Sequence, residues 1–214
     1  MNSFKESFKH LNRDPVMAYL INTFGDQISI EDRYEEDLAK AISQLIIEQQ
    51  VSFKAAITIK KRFNSLIKEL SHQDILKISN KDLQSIGISF KKVEYIKNVY
   101  NYFSENKLNY NNYTDSEVTK ELTKIKGVGK WTAEMFLIFI LFRKNIFSNG
   151  DLALINSVKV NYNIADLSNK KLDNLKKSWS PHKTTASLLL WKSIEEKNFY
   201  QKSLKNDQKQ SKKT

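Results

Sequence analysis

Apolar residues along this chain recur at helical spacing from end to end, and no segment alternates apolar with polar over the length of a strand. That pattern leaves no sheet to build and predicts an all-α protein. The punctuation agrees with it. Asp14-Pro15 reads as a helix start, Asp as the cap and Pro in the first turn, with Gly25 at the far end. Leu38, Ala41, Ile42, Leu45 and Ile46 share one face of the next helix. Ser52 caps a third, whose apolar face takes Phe53, Ala56, Ile57, Phe63, Leu66, Ile67 and Leu70. Ser71–Ile78 and Ser79–Ile86 read as two short helices, each opening on a Ser with an Asp in the first turn. Ser89 opens another, with Val93, Ile96, Tyr100 and Phe103 inward, and Thr114-Asp-Ser-Glu117 is a capping box leading to Leu122 and Ile125. A chain of 214 residues suffices for one substantial domain or for two small lobes sharing a core. From Lys197 onward Lys, Asn, Gln and Ser dominate, which predicts a frayed, basic polar tail over 197–214.

Several function classes drop out. There is no cysteine, which removes disulfides, Cys-ligated zinc and Cys-ligated iron–sulfur clusters. His10, His72 and His182 lie at no metal-ligand spacing, so a protein-built transition-metal site is not expected. The longest apolar run, Met135–Phe142, is of buried-helix length, well short of the ~18 residues that cross a bilayer. The opening MNSFKESFKH lacks the apolar core of a signal peptide, and the chain reads as soluble and cytoplasmic, with no membrane partner. A formal net charge of +11 asks for an anionic partner, nucleic acid first. The blander source of that charge is a Lys-rich composition, since the only arginines are Arg13, Arg33, Arg62 and Arg143.

Glycine is scarce, five in all, yet two occur together in Leu122-Thr-Lys-Ile-Lys-Gly127-Val-Gly129-Lys130-Trp131-Thr132. A short helix is expected to end at Ile125, the glycines to turn the chain, and a strongly apolar helix to start near Lys130. Glycine allows positive φ and close backbone approach, so N–H groups at the new helix start can face a phosphate beside Lys130. Taken alone, the motif fits an ordinary interhelical turn equally well. Its surroundings carry more. The stretch from Leu122 through Met135 resembles the hairpin of the helix-hairpin-helix (HhH-GPD) DNA glycosylase superfamily and is most similar to the 3-methyladenine DNA glycosylase II branch. Ile46-Ile-Glu-Gln-Gln-Val-Ser-Phe-Lys-Ala-Ala56 resembles the loop between helices that precedes the hairpin there. Phe147-Ser-Asn-Gly-Asp-Leu-Ala153 resembles the segment carrying the catalytic aspartate. Gly87–Ile96 and Trp179–Lys183 fall in the same order, so the resemblance runs from roughly His10 to Trp191.

The resemblance implies a two-lobed helical fold over 1–196, with the helix-hairpin-helix at about 118–142 and DNA crossing between the lobes. It implies a monofunctional DNA glycosylase that hydrolyses the N-glycosidic bond of flipped-out alkylated purines in double-stranded DNA, the first step of base excision repair. Gly127, Gly129, Lys130 and Thr132 would contact the phosphate backbone. The main-chain carbonyls of Thr123, Ile125 and Val128 would hold a structural monovalent cation, and no cofactor is required. Gln50 falls where relatives place the wedge that fills the gap left by the extruded base, although Gln49 and Gln50 also read as a polar helix end. Asp151 falls at the catalytic position. The local sequence by itself favours a plain helix cap there, and both roles can hold together. Position 150 is Gly where an Asp is commoner in the family. Trp131 and Trp191 align with pocket tryptophans, Met135 stands where relatives show a tyrosine, and Trp179 reads as structural. A monomer acting in the cytoplasm, associated with the nucleoid of a prokaryote, is expected. The ranking of 3-methyladenine, 7-methylguanine, hypoxanthine and ethenoadenine stays open. Two alternatives stand beside this reading: a non-catalytic helix-hairpin-helix DNA-binding module, and a same-fold glycosylase for oxidised or deaminated bases.

Overall fold

Helix starts in this protein are written largely as side-chain caps, and the computed structural model, which describes residues 4–200, places a helix after each one. In chain order the helices are α1 (Lys5–Leu11), α2 (Pro15–Phe24), α3 (Leu38–Glu48), α4 (Phe53–Leu66), α5 (His72–Lys77), α6 (Asn80–Ser85), α7 (Phe90–Glu105), α8 (Asp115–Leu122), α9 (Lys130–Phe139), α10 (Leu152–Asn161), α11 (Asn169–Trp179) and α12 (Lys183–Glu195). No strand occurs among the described residues, as the spacing predicts. Asp14 accepts from the N–H groups of Val16 and Met17, and Ser52, Ser71, Ser79, Ser89 and Ser168 each cap the helix that follows. Thr114 and Glu117 form the reciprocal capping box. Each such cap satisfies N–H groups that the first helical turn leaves without a partner.

The chain divides into two compact units. One takes Met1–Ser29 and Lys144–Thr214, and the other takes Ile30–Arg143. In the first, α2, α10 and α12 pack around Met17, Leu20, Leu154, Val158, Leu189 and Leu190, with the buried Trp179 against them. Tyr162 donates to Asp14 Oδ2 at 2.6 Å and accepts from Trp179 Nε1 at 3.3 Å, so the cap of α2 is also tied to the end of α10. In the second unit α3 is central. It packs on α4, α7 and α9, and its buried set of Ala39, Ala41, Ile42, Ser43, Leu45, Ile46 and Ile47 goes almost all the way round it. The remaining helices extend this frame: α5 and α6 pack on α7, and α8 packs on α9.

Four expectations shift. The helix before the glycine turn ends at Leu122, not Ile125, because Lys124 and Ile125 bond back only three residues, to Glu121 and Leu122, and the chain tightens into a turn. The apolar run Met135–Phe142 leaves the helix after Phe139: Phe142 takes φ 52° and the Arg143 N–H closes on the Leu137 carbonyl at 2.9 Å. On α4, Ile57 is 50% exposed, and Leu70 lies past the helix end at Ile67, where Glu69 takes φ 62°. The Phe53 side chain lies outside what is described. Finally, the chain does not fray at Lys197. Asn198 accepts from Tyr19, and the Tyr200 N–H donates to Asn161, so both hold to the first unit. The rest of the expected tail, 201–214, lies outside the described residues. Among those described, no helix is long and apolar enough to cross a membrane.

Ile42 lies wholly inside the second unit and Ile57 half outside it. Ile42→Ala is expected to cost about 2–5 kcal/mol of unfolding free energy in denaturant titration. Ile57→Ala is expected to cost less than about 1 kcal/mol.

Candidate functional site

The turn between α8 and α9 is set by two glycines with different duties. Gly127 takes φ +104°, a conformation that side chains rarely adopt, and a Cβ there would run into the ring and Cβ of Tyr95 on α7. Asn98, one turn further along α7, donates to the Lys126 carbonyl at 3.3 Å, and Lys126 pairs with Glu94 at 2.5 Å. That carboxylate holds the Lys126 ammonium above its usual range. Gly129 has an ordinary extended backbone and nothing within 4 Å of where its Cβ would be. It occupies the N-cap position of α9, so this helix starts without the side-chain acceptor that Ser52, Ser89 and Thr114 give to theirs. The exposed Lys130 follows, its Nζ 3.9 Å from Glu134 of the next turn. An uncapped helix start with an adjacent ammonium and an open glycine is an arrangement that suits an anion.

Beside the hairpin lies the end of α3. Gln49 caps it and sends its side-chain amide to the Gly127 carbonyl at 3.2 Å and to Thr132 Oγ1 at 3.0 Å. Lys92 of α7 donates to the carbonyls of Ile47 at 2.9 Å and Gln49 at 2.6 Å. Burial pushes the Lys92 ammonium below its usual range. Between these supports Gln50 stands exposed at φ 54°. The second unit therefore brings together Gln50, the turn carbonyls of Thr123, Ile125 and Val128, and the residues Gly127, Gly129, Lys130, Trp131, Thr132 and Met135. Within that group Thr132 is buried with its hydroxyl engaged by Gln49, Met135 is 1% exposed, and Trp131 is half-buried one turn before it.

Asp151 and Trp191 belong to the first unit. Asp151 is the N-cap of α10, and its Oδ1 accepts from the Leu154 N–H at 2.9 Å. The segment leading to it is pinned to the start of α12. Thr184 Oγ1 accepts from the Ile146 N–H at 3.1 Å, Ser187 donates to the Ile146 carbonyl at 3.4 Å, and the Asp151 N–H itself bonds the Ser148 carbonyl at 3.2 Å. The carboxylate is half-buried, which leaves it reachable from outside on a fixed backbone. Trp191, on α12, packs in part against the core of this unit, whereas Trp179 is fully buried, as the sequence reading has it.

Sequence reasoning passed over Gln49, Lys92 and Tyr95. Gln49 reads as half of a polar helix end, and its partners stand 78 and 83 positions along the chain. No local signal announces such a pairing.

A helical pair closed by a two-glycine turn, with a capping aspartate shortly after it, defines a class, and the comparison of sequences gives it a family. The profile of HhH-GPD superfamily base excision DNA repair proteins matches residues 43–182, and the chain belongs to that superfamily. The Bacillus subtilis protein YfjP is 31% identical over 162 residues, 70% of this chain and 56% of YfjP, so the chain spans little more than half of that relative. DNA-3-methyladenine glycosylase 1 of Schizosaccharomyces pombe is 29% identical over 188 residues, 83% of this chain and 80% of the relative. A crystal structure of DNA-3-methyladenine glycosidase from Bacillus halodurans matches with a TM-score of 0.71 at 28% identity, covering 93% of this chain and 94% of that one. The similar proteins come from bacteria and yeast alike.

The two glycines should separate cleanly in thermal unfolding. Gly127→Ala meets both an unfavourable φ and the Tyr95 ring, and should lower Tm by on the order of 5–10 °C. Gly129→Ala meets open space at a φ any residue adopts, and should move Tm by less than about 2 °C.

Proposed function

We propose that this protein is a monofunctional DNA glycosylase that hydrolyses the N-glycosidic bond of alkylated purines in double-stranded DNA. The observation that carries this reading is the span of the family match, which takes in Gln50, the glycine hairpin and Asp151 in one continuous stretch. The names of the relatives point to 3-methyladenine and its congeners. A net charge of +11 supports a polyanionic partner.

In this reading Gly127, Gly129, Lys130 and Thr132 meet the phosphate backbone through N–H groups and the Lys130 ammonium, Thr132 by its main chain because Gln49 holds its hydroxyl. Such contacts position the protein without reading sequence. The Thr123, Ile125 and Val128 carbonyls of this turn are uncharged oxygen donors, a type suited to a monovalent ion that would link the turn to phosphate. Gln50 enters the space left by the extruded base. Trp131 and Trp191 offer aromatic faces to an electron-poor base by stacking and cation–π attraction, and Met135 shapes the wall behind Trp131.

Asp151 acts on the sugar. Breaking the C1′–N bond builds positive charge on the deoxyribose ring, which a fixed carboxylate stabilises while a water attacks C1′. An alkylated purine already carries positive charge and departs as a neutral base, so no strong general acid is needed. Glycosylases of this superfamily that also cut the strand use a Lys two residues beyond the second hairpin glycine, and here that position is Trp131. Lys130 stands one residue earlier, at the first position of α9, which is about 100° round the helix.

Release of free bases from methylated duplex DNA, followed by chromatography, tests the activity. Asp151→Asn is the informative variant because Asn caps a helix as well as Asp does, yet carries no charge. Base release should fall by at least about 100-fold with thermal stability and duplex affinity kept. Near-normal turnover would remove Asp151 from the chemistry. Borohydride added during turnover should trap no covalent adduct, and an adduct abolished by Lys130→Ala would overturn the monofunctional assignment.

A further inference from the structure

We infer that Lys92 is a positioning residue for damage recognition: with Gln49 it holds Gln50 in its exposed left-handed conformation and fixes its distance from the phosphate-facing hairpin. The inference rests on the reading of Gln50 as the wedge and adds the device that makes the wedge rigid.

Three observations carry it. First, Gln50 takes φ 54°, where a non-glycine residue stays only if its surroundings hold it. Its exposed side chain does not supply that hold, whereas the peptide before it is anchored. The Gln49 carbonyl belongs to the same peptide plane as the Gln50 N–H, and Lys92 Nζ donates to that oxygen at 2.6 Å. Anchoring the oxygen sets the plane about which the Gln50 φ is defined.

Second, Lys92 is an expensive way to cap a helix if capping is all it does. It is partly buried, its ammonium is disfavoured by that burial, and it pairs with no carboxylate among the described residues. Its partners are the carbonyls of Ile47 and Gln49, at the negative end of α3. A lysine reaching into solvent avoids this desolvation, and a helix end at the surface can be capped by water.

Third, the same helix grips the hairpin. Lys92, Tyr95 and Asn98 follow one another at three-residue spacing along α7. Tyr95 fills the space that a side chain on Gly127 would need, and Asn98 donates to the Lys126 carbonyl. Gln49 closes the frame from the other side through Gly127 and Thr132. Wedge and hairpin must engage the same lesion at once, so a rigid spacing between them removes an ordering cost at the moment of binding.

The test is a ratio of affinities: Kd for undamaged duplex over Kd for the same duplex with a stable abasic analogue, beside Tm. Lys92→Met keeps the apolar stem and removes the donor. It should lower the ratio about tenfold while affinity for undamaged duplex stays within about twofold. Lys92→Arg, which can still reach two carbonyls, should restore the ratio to within about threefold. Gln50→Ala should show a comparable loss, and Gln50→Ala/Lys92→Met should be no worse than Gln50→Ala alone. Gln49→Met, which cuts the tie to the hairpin without touching Lys92, should lower the ratio as well, and serves in place of Lys92→Met if that variant does not fold. Equal losses on both duplexes, or additive losses in the double variant, would reduce Lys92 to a helix cap and overturn the inference. If Gln50→Ala leaves the ratio intact, the wedge reading itself falls and this inference with it. If Gln50→Ala lowers the ratio and neither Lys92→Met nor Gln49→Met does, the wedge stands and only the brace is lost.

Discussion

The second unit depends on one missing side chain. Because Gly127 has no Cβ, the Tyr95 ring can close on the hairpin turn, and the turn can take the positive φ that reverses the chain. That reversal puts the Gly127 carbonyl where the Gln49 amide reaches it, and the Thr132 hydroxyl beside it. The end of α3, the middle of α7 and the start of α9 thus meet around Gly127, and the direct bonds of Gln49 to Thr132 and of Lys92 to the Ile47 and Gln49 carbonyls close the same frame. Gly129, two residues away, has no such duty. Its lack of a side chain answers to nothing in the chain's own packing, which fits a glycine kept for what approaches from outside.

Much of the fold is legible because helix starts are local events. A Ser, Thr or Asp bonding two or three residues ahead is a pattern visible in any short window, and Asp14, Ser52, Ser71, Ser79, Ser89 and Thr114 all do so. Helix ends are less local. The stop after Leu122 depends on a tightened turn that shares its composition with the helix, and the stop after Phe139 occurs within an unbroken apolar run. Ile57 continues the apolar spacing of α4, yet that helix packs principally on α3, and a narrow interface leaves the flank of the stripe in water. Asn198 and Tyr200 sit in a polar stretch that reads as a tail, but each finds a buried or half-buried partner far back in the chain.

The site divides the same way. Gln50, the hairpin glycines and Asp151 stand in motifs and can be named from sequence by resemblance. Gln49, Lys92 and Tyr95 fall inside resembling stretches too, but their duties do not show there, because their partners lie tens of residues away and their residue types carry no signal alone. A polar helix end such as Gln49-Gln50 hides two opposite assignments: one amide turned inward as a brace, the other left outside. Only the fold distinguishes them.

Asp151 raises the question of whether a cap can also be a catalyst. Its Oδ1 accepts from the Leu154 N–H, and that bond fixes the rotation of the carboxylate about its own side chain. A preorganised charge is what stabilises a developing sugar cation most cheaply, since nothing need reorient during the reaction. In the proposed chemistry the cap would therefore serve catalysis instead of competing with it. Gly150 sharpens the point. Open space surrounds the place its Cβ would take, so packing does not demand a glycine there. With no carboxylate at position 150, the start of α10 has Asp151 as its single acidic cap. Helix geometry and proposed catalysis then fall on one side chain, and replacing Asp by Asn separates the two because it alters the charge and keeps the cap.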